Sequence, residues 1–225
     1  MFYNLFLKFP NDSGPIYQET IEGSFPVEPF NTTSNLIFII ILAYFIRNIG
    51  KKYKEYPFFL FAIPVIFISW VGGTVYHGTR SHEFWLVLDW FPIMVVCFGG
   101  IVYFINKIKN TWRQRFFLYA IFFLILMIPR ILNLPKVYRI SFGYVVTALS
   151  VITPFIWYAY LTKWKNFKDI VLSIFIFCIA ICFRTLDNLV VLLPMGTHWL
   201  WHTFGGISVF FLLNYIYKDA KAALQ

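Results

Sequence analysis

The sequence predicts an all-α integral membrane protein, a bundle of seven transmembrane helices with the N-terminus outside or lumenal and the C-terminus cytoplasmic. Composition is the first ground. Of 225 residues, 60% are hydrophobic and only 13% charged, and the mean hydropathy is +0.69, outside the range of ordinary soluble domains. The second ground is that the chain divides into continuous apolar runs close to the roughly 20 residues a spanning helix needs. These runs lack the alternation that a barrel strand requires. The third is the placement of Lys and Arg, which collects in every second connection and so reports orientation.

In chain order, residues 1–33 form an extramembrane lead-in rich in Pro, Gly and polar residues, with Asp12, Glu19, Glu22 and Glu28 against a single Lys8. The chain starts without a basic n-region or a small-residue cleavage site, so no cleavable signal peptide is expected. The spanning domain, 34–217, begins with an apolar run at 34–49, entered through Asn31-Thr32-Thr33-Ser34-Asn35, residue types that cap helix N-termini. The second run, 58–76, ends at His77. The third, 84–105, carries Asp89 in its first two turns. Runs four to seven occupy 116–128, 140–161, 170–193 and 199–217, and 218–225 is a short cytoplasmic tail.

Arg47, Lys51, Lys52 and Lys54 follow the first run, Lys107, Lys109, Arg113 and Arg115 the third, Lys163, Lys165 and Lys168 the fifth, and Lys218 and Lys221 the seventh. Lys8, Arg80, Arg130, Lys136 and Arg139 are outnumbered on the other face, which sets the topology stated above. The formal net charge of +9 is thus a product of membrane topology, and the partner it implies is the lipid bilayer, with no nucleic acid. Cys97, Cys178 and Cys182 all lie within apolar runs, so no disulfide framework is visible, and Cys178 and Cys182 read as packing residues rather than ligands.

Two features carry chemistry. In His198-Trp199-Leu200-Trp201-His202, two imidazoles four residues apart project from one helical face, a spacing suited to metal ligation. The topology brings His77 and Asp89 to the same membrane side. Three neutral imidazoles and one open position make a catalytic zinc shell, and a carboxylate beside it is suited to orient or deprotonate water. The bland alternative for the pair is two interfacial histidines among belt tryptophans. Arg184 and Asp187, three residues apart within one run, read as an internal ion pair that fixes packing. His82, in the turn before the third run, reads as a surface residue.

Three separated blocks resemble the alkaline ceramidase family, seven-span zinc-dependent membrane hydrolases related to adiponectin-receptor-like proteins. They are Glu28-Pro29-Phe30-Asn31-Thr32-Thr33-Ser34-Asn35; Tyr76-His77-Gly78-Thr79 with Asp89-Trp90-Phe91-Pro92; and Arg184-Thr185-Leu186-Asp187-Asn188 with His198 to His202. The resemblance implies zinc held by His77, His198 and His202, Asp89 assisting the attacking water, and hydrolysis of ceramide-type N-acyl sphingolipids to a sphingoid base and a fatty acid. The alternative reading is a receptor-like or sensor protein with a structural zinc. Where the family commonly places a serine four residues before its first zinc histidine, this chain has Gly73. The resemblance also implies a calcium site at Glu19, Glu28 and Asn31, although the family's leading aspartate is missing. The cysteines that tie these segments together in some relatives are missing as well. Short loops favour a bacterial inner membrane over a eukaryotic endomembrane; oligomeric state is not legible.

Overall fold

The computed structural model describes residues 9–132, 134–187 and 189–224; Lys8 and Asn188 lie outside them. Helix accounts for 78% of the structure, and the described residues contain no strand, in agreement with the all-α expectation. A short helix α1 (Pro29–Ser34) leads into α2 (Leu36–Ile49) and a 3-10 turn (Gly50–Glu55). There follow α3 (Pro57–Thr79), α4 (Glu83–Ile108), α5 (Trp112–Ile131), α6 (Lys136–Leu161), α7 (Phe167–Leu186) and α8 (His198–Ala223). Six segments are long and apolar enough to cross a membrane: Pro29–Glu55, α3, α4, α5, Tyr138–Leu161 of α6, and α7. At 26 residues α8 matches them in length, but His198, His202, Asn214 and Lys218 dilute its apolar character.

Helix ends follow local chemistry. Pro29 and Pro57 stand in the first turns of α1 and α3, where a missing N–H costs nothing. Pro64, Pro92, Pro129 and Pro154 lie inside helices, as membrane helices tolerate. His82 caps α4, its Nδ1 accepting the Phe84 N–H at 3.0 Å. Two boundaries differ from the sequence reading. The chain is already helical at Pro29, so Thr32, Thr33 and Ser34 turn their hydroxyls back onto carbonyls at Glu28, Pro29 and Asn31 rather than capping. The cap comes from Glu19, whose two carboxylate oxygens accept the N–H groups of Phe30 (2.8 Å) and Asn31 (2.6 Å). The other boundary is the end of α7, which stops at Leu186 although apolar residues continue to Leu193. Pro194 and the left-handed Gly196 (φ +72) turn the chain there.

Packing is uneven along the bundle. The dense aromatic core lies at the end remote from the histidines, where Phe45, Phe59, Phe104, Phe155 and Tyr215 are almost fully buried. It is closed by Asp219, which accepts from Tyr158 (2.8 Å), Tyr103 (3.1 Å) and Lys107. Asp169 ties α7 to α8 through Asn214 and Lys218. Midway, Ser173 and Ser208 exchange hydroxyl hydrogen bonds across the same pair at 2.9 Å. Toward the histidine end, α3 and α4 meet so closely that a Cβ on Gly72 would press on the Leu88 backbone. Gly72→Ala is therefore expected to destabilise the protein by roughly 1–3 kcal/mol, as overpacking does, read as a lower unfolding midpoint in detergent.

Candidate metal centre

His77 occupies the last turn of α3, and the lead-in is strapped against it. Val27 N–H donates to Gly78 O at 2.9 Å and Glu28 N–H to His77 O at 3.0 Å, which presents the Glu28 carboxylate to the ring: Oε2 lies 2.5 Å from His77 Nδ1. His198 and His202 stand in the first two turns of α8. That helix is started by Asp187 Oδ1, which accepts the N–H groups of Thr197 (2.5 Å) and His198 (3.0 Å). His202 Nδ1 lies 2.9 Å from Ser34 Oγ and 3.2 Å from Asn31 O. Tyr17 stacks on His198 with ring centroids 3.8 Å apart.

Elements distant in sequence thus bring the three histidines together. All are buried, and one nitrogen from each falls within 4.8 Å of the others, so the trio can hold a metal ion. Among the described residues this is the one group of His, Cys, Asp or Glu with such geometry. The donor set fits a cation: His77 Nε2 is buried without a hydrogen-bond partner, and His77 and His202 have their other nitrogen held by oxygen-bearing groups, as orienting partners of ligating imidazoles do. His198 differs, since its Nδ1 faces Arg184 Nη1 at 3.0 Å. Guanidinium only donates. A cation that takes a lone pair from His198 therefore competes with Arg184.

The acidic groups divide their tasks. Arg80, only 1% exposed, donates to both Asp12 oxygens (2.9 and 2.7 Å), to Glu28 Oε1 (2.5 Å) and to Pro15 O (3.1 Å). Thr20 Oγ also donates to Glu28 Oε1, at 2.6 Å, and Asn31 Nδ2 to Glu28 Oε2, at 3.2 Å. Glu19, Glu28 and Asn31 do lie together, as expected for calcium. Glu19 serves the N-terminus of α1 and Glu28 serves Arg80 and His77, while Asn31 Oδ1 is buried without a hydrogen-bond partner. Arg184 and Asp187 likewise take separate roles, at His198 and at the start of α8.

Burial pushes the Glu19 carboxyl up from its ordinary value. Burial would also raise Glu28, but the His77 hydrogen bond and the Arg80 charge prevail and hold it below the usual carboxylate range. A carboxyl depressed on folding contributes stability above its unfolded value and loses it as pH falls through its folded one. We expect Glu28→Gln to lower the unfolding midpoint at neutral pH and to flatten the acid-side decline below about pH 4.5, followed by thermal melts across pH.

Asp89 stays outside the histidine trio and lines the space beside it. Ser69 Oγ donates to its backbone carbonyl at 2.5 Å, and Gly73 leaves its Cβ position to the Asp89 carboxylate and the Asn35 amide. Asp89 is where two cavities meet. A vestibule of about 470 Å³ includes Tyr17, Trp90, Tyr144 and His198 in its lining. A narrower chamber of about 140 Å³ runs from His202 along α8 past Gly205, Ser208 and Val209 to Leu212, with Phe38 and Phe177 in its wall. Sequence reasoning missed Tyr17, Ser69 and Tyr144, none of which stands in a spacing that marks it, and it took Ser34 only as a capping residue type. It also placed Arg80 only as a basic loop residue. Cys178 and Cys182 are exposed on α7 and Cys97 is half-buried; all three are free thiols.

No family model matches the chain, and no curated protein matches it. The reading of the site rests on its own chemistry.

Proposed function

We propose that the protein is a zinc-dependent intramembrane amide hydrolase of ceramidase type, cleaving N-acyl lipids to an amine and a free fatty acid. In this reading α8 is the seventh span, the N-terminus lies outside and the C-terminus in the cytoplasm, and the host is a bacterial inner membrane. The observation that carries the proposal is a buried three-histidine cluster opening, beside a carboxylate, onto an apolar chamber. Zn²⁺ bound by His77, His198 and His202 would supply Lewis acidity, polarising the amide carbonyl and lowering the pKa of water toward about 7.

The chain's own residues then have defined tasks. The apolar chamber takes the acyl chain and excludes water, leaving the amide at the level of Asp89. The Asp89 carboxylate accepts a proton from the attacking water as its oxygen bonds to the carbonyl carbon. The same proton passes to the nitrogen as the C–N bond breaks, so the products are a carboxylic acid and an amine. Glu28 and Ser34 hold the imidazoles in place.

The test is metal content and turnover on one detergent-purified sample offered a panel of N-acyl lipids including ceramides. Wild type should carry zinc and hydrolyse amides, whereas Asp89→Asn should keep the zinc and lose roughly 10²–10⁴-fold in rate. Zinc without turnover of any amide would make the centre structural and the protein receptor-like.

A further inference from the structure

The vestibule carries more positive charge than a neutral amide needs. Five ionisable side chains other than tyrosine and histidine line it: Glu83, Asp89, Arg130, Arg139 and Arg184. Glu83 is engaged, since its two oxygens accept the Ser13 N–H and hydroxyl, both at 2.7 Å. Arg184 is turned toward His198. Arg130 from α5 and Arg139 from α6 are exposed at the vestibule, and among the described residues no carboxylate lies within ion-pair distance of either. Arg130 instead lies over the ring of Trp90, 5.3 Å from its centroid, and Trp90 faces both cavities.

Membrane topology does not account for these two arginines. Basic residues gather at the opposite end of the bundle, in the connections that follow α2, α4 and α6 and in the last turns of α8. At the histidine end, Arg80 is consumed by Asp12 and Glu28. Two guanidinium groups on adjacent helices, over a cavity and without acidic partners, have the chemistry that recognises a carboxylate, sulfonate or phosphate in fork geometry. The ends of the space differ accordingly, with apolar walls beside His202 and cationic walls above Asp89.

We propose that the substrates are acidic N-acyl lipids, in which the amine half carries an anionic group bound by Arg130 and Arg139 while the acyl half enters the narrow chamber. This rests on the amide-hydrolase reading and sharpens its substrate class away from neutral ceramide. The amide of such a molecule lies between its acyl chain and its acid, which is the order of apolar chamber, Asp89 and arginines in the structure.

The experiment compares N-lauroylglycine, N-lauroyltaurine and the neutral N-lauroylethanolamine, with the full chain in zwitterionic nanodiscs. It measures kcat/KM and, separately, equilibrium binding by quenching of tryptophan fluorescence. Wild type should favour the acidic amides by roughly tenfold or more, the scale of hydrogen bonds to a charged group. Arg139→Gln and Arg130→Gln should remove that preference through KM and leave the neutral amide within about twofold, and added salt should weaken it. Equal handling of all three lipids, or an acid preference that survives both substitutions, overturns the proposal. If none of the three is hydrolysed, the ceramide-containing panel decides the amidase reading, and binding alone decides this one. Tighter, arginine-dependent binding of the acidic lipids upholds an acidic ligand, and indifferent binding overturns it. Glycine against taurine then separates carboxylate from sulfonate recognition.

Discussion

Replacing His202 by alanine is expected to bring bound zinc to background and amide hydrolysis with it, while the helical bundle stays folded. The reason is geometric. His202 provides one of the three nitrogens that lie within 4.8 Å of one another, and among the described residues no other His, Cys, Asp or Glu completes a comparable set. Loss of a group that only orients a ligand costs roughly 10–100-fold in metal affinity, and loss of the ligand itself costs more. Ser34→Ala, which removes the hydroxyl 2.9 Å from His202 Nδ1, supplies the graded control in that lower range. Chelator competition on the purified variants measures both. Undiminished zinc in the His202 variant would mean that the metal sits elsewhere.

The second large effect is expected at Arg80. Its guanidinium is almost fully buried and pairs with Asp12 and Glu28 at once, so Arg80→Ala strands two buried carboxylates. Breaking a buried pair from one side costs about 3–5 kcal/mol. Arg80→Lys should fall between wild type and alanine, because an ammonium cannot repeat the fork on Asp12. Melting in detergent with and without Ca²⁺ adds a discriminating readout. Calcium should leave wild type unchanged, and it should recover part of the loss in Arg80→Ala by entering the vacated acidic cluster. A calcium-raised midpoint in wild type would show that Glu19 and Glu28 are open to a divalent ion after all.

The bundle was legible in the sequence because bilayer solvation writes itself into composition: uninterrupted apolar runs marked every long helix, although not every helix end. The errors arose where that signal says nothing. Leu189 to Leu193 are as apolar as a helix interior, yet Pro194 and Gly196 give them to a loop. Asn31 to Ser34 look like caps because their types cap helices, but a carboxylate twelve residues upstream already does so. At the site, the one-turn spacing of His198 and His202 was readable from helical geometry, and His77 joined them through topology. The roles of Glu28, Ser34 and Tyr17 were not readable, since each contacts a histidine through a fold-dependent approach with no periodic trace. The surroundings of Arg184 and Asp187 show the same limit: the helix start at Thr197 that the aspartate caps and the imidazole that the arginine meets leave no trace in a three-residue spacing.

The way the lead-in is tied down bears on the biogenesis of the protein. Gln18 donates to the carbonyls of Asp187 and Val190, and Ser34 reaches His202 across 168 residues of chain. A ribosome delivers Glu28 and His77 early and His198 and His202 near the end. The emerging chain therefore holds only one of the three clustered imidazoles until α8 arrives, and the cluster cannot trap a cation in a half-built protein. Gln18 must also wait, unclasped, for a loop translated long after it. Quality control could then sense completion at one place: a molecule whose N-terminal strap is protected from protease has also assembled its centre.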